Sequence, residues 1–376
     1  MQYRTLGKTG YSVSQLGFGA MRLPMKGEGP DARIDRDLAI PMIHRAFETG
    51  VNYIDTAVGY CNSDSESVVG EALKGWRDKV VLSTKNHYFG PDEKEWWALL
   101  EQSLRRLRVD TIDIYNHHGV NRASFREHVL PTMGRWMEKA RDQGLIRHIC
   151  CSFHDDNDAL CEIVDSGYPS VITLQYNLLD RQLESGIARA HAKGIGVVVM
   201  GPVGGGRLGV PNDVLVALVP GVERIPELAL RFVLANPNVS AAISGMSAMA
   251  HVEENIAVAS DANALTAADK SAIDAHLDRL KKMADLYCTG CGYCMPCPQE
   301  VNIRGVFDLY NRARVYGLWE NARHDYAGML GASADKGGKA ADACAECETC
   351  KPKCPQHIDI PAQLKESHKA LADFGH

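Results

Sequence analysis

The chain has 376 residues, 45% of them apolar and 23% charged, with a net charge of −6 and an isoelectric point near 6.2. An acidic balance with no basic stripe argues against a general nucleic-acid binder, and no apolar run reaches the roughly eighteen residues a membrane-spanning helix needs. The polar start, Met1 to Gly10, lacks the apolar core of a secretory leader, so a cytoplasmic, reducing location is expected.

Tyr3 to Ser14 reads as a hairpin, with Gly7 and Gly10 near its turn, suited to plugging the bottom of a barrel. From Leu16 to Ile243, short β-branched strings alternate with helical patterns about every thirty residues, the signature of repeated βα units and a parallel sheet. Strands are predicted at Leu16–Gly19, Tyr53–Asp55, Val80–Lys85, Thr111–Tyr115, Arg147–Cys151, Val171–Leu174, Gly196–Met200 and Val239–Ile243. Eight such units suggest a closed α/β (β/α)8 TIM barrel. Helical periodicity fills the intervals, for example Leu38-Ile40-Ile43-Phe47 and Leu99-Leu100-Leu104-Leu107.

An amphipathic helix over Ala267–Met283 follows, and composition changes abruptly at Tyr287, so residues 1–283 are read as the barrel and 284–376 as an appended domain. That domain holds two cysteine runs, Cys288, Cys291, Cys294, Cys297 and Cys344, Cys347, Cys350, Cys354, each closed by proline (Pro298, Pro355). Thiolates are soft donors for iron, and close spacing lets one loop take three corners of a cube while the fourth ligand comes from elsewhere. Zinc sites more often use two separated pairs, and disulfides need an oxidising compartment. Two [4Fe–4S] clusters are the better reading, with Cys354 completing the first site and Cys297 the second. The string Cys297-Pro-Gln-Glu-Val-Asn-Ile recurs as Cys354-Pro-Gln-His-Ile-Asp-Ile, so each half is predicted to pass through Cys-Pro directly into a helix, Ile303–Tyr316 and Trp319–Met329 being helical in pattern between the runs. The second run fits the bacterial ferredoxin spacing residue for residue; the first is one residue short. The domain resembles the α-helical ferredoxin domains of larger oxidoreductases.

In a parallel barrel, chemistry sits at the carboxyl ends of the strands. Asp55, Lys85 and His118 close the second, third and fourth strands at separations of 30 and 33 residues, and Tyr60 follows Asp55 by five. A nearby ammonium favours phenolate, so Lys85, held by Asp55, is expected to lower the Tyr60 pKa; Tyr60 would protonate a substrate oxygen and His118 stabilise it.

The strings Leu16-Gly-Phe-Gly-Ala-Met, Val51-Asn-Tyr-Ile-Asp-Thr-Ala-Val-Gly-Tyr60, Leu82-Ser-Thr-Lys85, Ile112-Asp-Ile-Tyr-Asn-His-His118, Cys151-Ser-Phe, Tyr176-Asn177 and Glu254-Asn255 together resemble the aldo-keto reductase family. The resemblance implies a barrel that binds NADP(H) or NAD(H) without a Rossmann domain and reduces aldehydes or ketones, with Asp55, Tyr60, Lys85 and His118 as the family's tetrad. The family's spacing from Asp113 selects His118 over His117. It also implies that Ser152 meets the nicotinamide amide, Met200 its ring face, and Gly19, Ala20, Met21 and Asp55 the ring end. Thr173 is taken to stand where the family usually carries a glutamine, and Phe153 where asparagine is common. The loop after the seventh strand, with Gly201, Pro202 and Gly206, offers backbone to the pyrophosphate; Gly204 to Gly209 spells G-x-G-x-x-G, a weak signal by itself. Gly245, Met246, Ser247, His251, Glu254 and Asn255 face the adenosine end, with His251 where an arginine often holds a 2′-phosphate.

These residues predict NAD(P)H-dependent reduction of a small carbonyl compound, or oxidation of an alcohol, with a redox protein as a further candidate partner and neither nucleic acid nor membrane. The competing reading makes the clusters the working centres of an electron-transfer or redox-sensing protein whose barrel senses nicotinamide; a complete tetrad has no purpose there.

Overall fold

β-branched strings and glycine-closed turns build eight parallel strands: β1 Leu16–Gly19, β2 Tyr53–Asp55, β3 Val81–Asn86, β4 Ile112–Val120, β5 Ile146–Phe153, β6 Val171–Gln175, β7 Gly196–Met200 and β8 Ala241–Gly245. Each pairs with the next and β8 pairs with β1, which closes the barrel. The computed structural model describes residues 1–204, 208, 222, 224–261, 265–266, 268–275, 278, 288, 292, 294–330, 332, 337–354 and 358–373. Within the barrel, Leu6, Val13, Tyr53, Val81, Ile114, Cys150, Val171, Val198, Ala241 and Ile243 pack as one interior layer, with Met200 against it. A fully buried aliphatic side chain contributes about 1.5–3 kcal/mol, so this layer is a large part of what holds the barrel shut.

Five strands differ from expectation at their ends, β4 and β8 for reasons visible in their partners. β4 runs on through His118 because Asn116, His117 and His118 pair with Cys150, Cys151 and Ser152 of β5. Their polarity reads as loop, yet Asn116 and His117 are buried and bonded. β8 begins at Ala241 rather than Val239, whose carbonyl instead accepts from the Arg4 guanidinium at 2.6 Å. The hairpin pairs Tyr3–Thr5 with Ser12–Ser14 and carries Leu6 and Val13 into the interior layer. Gly7 has φ +54°, and a Cβ there would strike the backbone of Ile195 at 2.8 Å, so the plug can dock only without a side chain.

Helices α1 (Arg36–Glu48), α2 (Glu93–Leu107) and α3 (Met249–Ser260) lie between or after the strands. Asp35 and Asp92 accept from the backbone N–H two residues on and start α1 and α2. In α2, Trp96, Leu100, Ser103 and Leu107 recur every three or four residues and form its buried face.

The chain divides into two compact units, Met1–Leu208 with Pro226–Leu265, and Gly209–Ile225 with Thr266–His376. In the second, α4 (Ile303–Tyr316), α5 (Trp319–Ala327) and α6 (Ile360–Leu371) surround a core that includes Val306, Phe307, Tyr310, Tyr326, Ile360 and Leu364. Pro298 lies in a turn and does not open a helix. The capping residues lie five residues after Cys297 and Cys354, where Asn302 accepts from Gly305 N at 2.9 Å and Asp359 from Ala362 N at 3.4 Å. An Asx side chain at that place supplies the acceptor that a proline ring cannot. Among the described residues no helix is long and apolar enough to cross a membrane.

Candidate active site

Parallel register brings the strand ends to one rim. Gly19 pairs with Asp55 and Gly245, Asp55 with Ser83, Lys85 with Asn116, and His118 with Ser152. Asp55 and Lys85 are 2% and 1% exposed, so the ion pair they make is shielded from solvent. Lys85 Nζ also donates to Thr56 O at 2.8 Å, and Ser83 Oγ donates to the other Asp55 oxygen at 2.8 Å. The Lys85 ammonium sits 4.9 Å from the centre of the Tyr60 ring, and the His118 ring meets that ring edge-on at 5.9 Å.

Burial, opposed by the Lys85 ammonium, pushes the Tyr60 phenol above its ordinary value. The expected lowering does not occur, because desolvation outweighs the pull of Lys85 and the Asp55 charge adds to it. Burial disfavours the Lys85 ammonium, but Asp55 and Tyr60 outweigh it and hold that pKa above its usual value. His118 is lowered to about 4 by burial and by Lys85, His154 and His87. It is therefore neutral at pH 7. His117 faces away from Tyr60: it is buried, bonded to Tyr168 Oη at 2.9 Å and packed on that ring.

Ser152 lies at the end of β5 with its hydroxyl 3.4 Å from His154 Nε2, a neighbour the sequence reading did not weigh. Thr173 does not reach the rim. It is wholly buried and bonded to Asn116 and Cys150. The carboxamide at the end of β6 is Gln175, directly before Tyr176, and a Cβ on Gly201 would lie 3.3 Å from its Oε1. Its adjacency to Tyr176-Asn177 was the signal that could have found it. Asn177 donates to Gly201 O at 3.3 Å, Pro202 is buried, and Gly206 lies outside the described residues. Ala20 N donates to Asp55 O at 2.8 Å, while Met21 is exposed. Past β8, Met246 is buried, the Ser247 amide and hydroxyl both lie 3.4 Å from His251 Nδ1, and Asn255 donates to Ser244 Oγ at 3.1 Å. Glu254 lies beside it on α3. On this rim Gly245 is exposed and Gln175 half-buried, whereas Gly19 and Ser152 are buried.

In the second unit, Cys288, Cys294, Cys297, Cys344, Cys350 and Cys354 pack at the edge of one apolar core, Cys347 is exposed, and Cys291 lies outside the described residues. Burial disfavours the Cys350 thiolate, and Cys297, Cys344 and Cys347 are near enough to disfavour it further. Thiolates are soft donors suited to iron, although among the described residues no three His, Cys, Asp or Glu side chains are gathered closely enough to hold a metal ion.

A profile of the Aldo/keto reductase family matches residues 15–213, and one described as a 4Fe-4S dicluster domain matches 287–359. This chain is 27% identical over 310 residues to the uncharacterized oxidoreductase YqkF of Bacillus subtilis, covering 73% of this chain and 96% of that one. It is 30% identical over 305 residues to the NADH-specific methylglyoxal reductase of Escherichia coli, covering 67% and 91%. The holo form of aldo-keto reductase AKR11C1 from Bacillus halodurans superposes with a TM-score of 0.63 at 30% identity, covering 73% and 96%. The chain belongs to the aldo/keto reductase family and is an oxidoreductase that also carries a 4Fe-4S domain at its C-terminus.

Proposed function

We propose that the protein reduces an aldehyde or ketone with NADH or NADPH, and in reverse oxidises the alcohol. The observation that carries this reading is the shielded Asp55–Lys85 pair beneath Tyr60, with neutral His118 at its edge. The bound nucleotide supplies the hydride, which goes to the carbonyl carbon. Ser152 and Gln175 hold its carboxamide, Met200 covers the ring, and the loops at Gly201–Pro202 and Gly245–Ser247 receive its remainder. As charge develops on the carbonyl oxygen, His118 donates a hydrogen bond and Tyr60 Oη gives up its proton. Burial keeps Tyr60 protonated until that moment, and Lys85 then stabilises the phenolate, which takes its next proton from solvent.

The cysteines are read as two [4Fe–4S] clusters, one on Cys288, Cys291, Cys294 and Cys354, the other on Cys344, Cys347, Cys350 and Cys297. The crossed sets follow the ferredoxin pattern, in which the last cysteine of each run completes the other cluster. The enzyme is placed in a reducing compartment, with a redox protein as a candidate partner of the clusters.

Turnover of NADH and NADPH is to be measured anaerobically with a panel of aliphatic, aromatic and 2-oxo aldehydes, 4-nitrobenzaldehyde among them. Tyr60→Phe should lower kcat by about a thousandfold while nucleotide binding is kept, since one positioned proton donor is worth about 10²–10⁴-fold. Unchanged turnover in that variant would exclude the mechanism.

A further inference from the structure

The interior of the barrel holds a continuous run of buried polar side chains that ends on Asp55 of the tetrad. Asp55 on β2, Ser83 on β3, Asn116 on β4, Thr173 on β6 and Cys150 on β5 are each 2% exposed or less. Ser83 Oγ lies 2.8 Å from Asp55 Oδ2, Asn116 Nδ2 is 3.1 Å from Ser83 Oγ, Thr173 Oγ1 is 3.3 Å from Asn116 Oδ1, and Cys150 Sγ is 3.5 Å from Thr173 Oγ1.

The direction of every proton in this run follows from what each group can do. Asn116 Nδ2 also reaches Thr84 O at 3.0 Å, and a backbone carbonyl only accepts, so that end of the amide is the donor. Its other atom is then the acceptor, and Thr173 must give its one hydroxyl proton there. With that proton committed, Thr173 can only accept from Cys150. At the far end Asp55, held by Lys85, accepts from Ser83. Burial pushes the Cys150 thiol up to about 12, which keeps it a donor. All four steps therefore point the same way, from Cys150 to the carboxylate.

We propose that Cys150, Thr173, Asn116 and Ser83 are positioning residues whose one-way chain of hydrogen bonds fixes the Asp55 carboxylate against Lys85 and so sets the Tyr60–Lys85 contact. Aligned bonds polarise one another in a low-dielectric interior, so the anion at the end gains from each of them, and its Oδ2 cannot rotate away to share Lys85. No member of the chain other than Asp55 reaches the reacting atoms.

The inference rests on the carbonyl reduction proposed above, and its test separates the two. Thr173→Val keeps the shape of the side chain, removes the hydroxyl and strands the Asn116 oxygen. With 4-nitrobenzaldehyde, kcat should fall about tenfold while the dissociation constant of the nicotinamide nucleotide stays the same. Lys85 is faced by Asp55, Tyr60, His118, His154 and Cys150. Loosening its counter-ion makes the ammonium easier to deprotonate, so the alkaline limb of kcat should move to lower pH. Thr173→Ser should restore both. If Thr173→Val does not fold, Cys150→Ala and Cys150→Ser give the same contrast one bond further out. Wild-type kcat and an unmoved alkaline limb in the hydroxyl- or thiol-deleted variant would overturn the chain. Tyr60→Phe is measured alongside: if it keeps turnover, the underlying reaction is wrong, whereas an inactive Tyr60→Phe with an unaffected Thr173→Val removes only the positioning role.

Discussion

Burial and charge act on the same few side chains in opposite senses, and at the residue scale their balance decides chemistry. Tyr60 is pushed up by desolvation against the pull of Lys85, so it rests as a phenol. His117 and His118 are adjacent in sequence and point to opposite sides of the sheet, as the two-residue period of a strand requires. Burial lowers His117 to about 3 and, with nearby charges, His118 to about 4. Both remain neutral in the folded chain while the unfolded chain takes up protons near the ordinary value of 6.5. A depressed value of this kind contributes stability above the unfolded pKa, and that stability is lost as pH falls toward the folded one. The urea midpoint should thus decline from about pH 6.5 down to about pH 3, and His117→Gln should flatten the decline. A wild-type midpoint that does not change over this window would contradict the burial argument.

At the element scale, the two halves of the cysteine-rich unit reuse one device. Asn302 caps α4 and Asp359 caps α6, each five residues past the last cysteine of its run. The caps fix where the chain turns from cysteine loop to helix, and Asn311 on α4 donates to Cys288 O at 2.9 Å, tying the first loop to that helix. Asp359 is also ion-paired with Lys351 at 3.0 Å, between Cys350 and Cys354. Removing a cap costs about 1 kcal/mol. Asp359→Ala is expected to lower the melting temperature of the unit by a few degrees and to speed loss of the cluster absorbance in air. Equal melting and bleaching in the variant would show that the cap does not support the loop.

At the scale of the whole molecule, an aldo/keto reductase barrel and a 4Fe-4S domain share one chain. Two clusters of four irons predict about eight iron and eight sulfide per chain after anaerobic purification. Cys347→Ala, at the exposed corner of the second run, is expected to reduce the iron count by about half and leave nucleotide binding to the barrel intact. Zinc in place of iron, or iron unchanged in that variant, would argue against the assignment.

Much of this was legible in the chain itself. Hydrophobic periodicity and glycine punctuation determined eight βα units, and cysteine spacing determined an iron–sulfur domain, because both signals are local and repeat. The grouping of Asp55, Tyr60, Lys85 and His118 was legible too, since closure of a barrel turns regular spacing in sequence into neighbours on a rim. Only the tertiary structure decided what depends on burial and on direction. It moved Thr173 from the rim to the interior and put Gln175 at the mouth, because a two-residue step along a strand keeps the side while changing the depth. It extended β4 through three polar residues that read as loop, because their partners lie on other strands. It reversed the expected shift at Tyr60, because desolvation is set by everything packed around a group and not by the charge nearest to it in sequence.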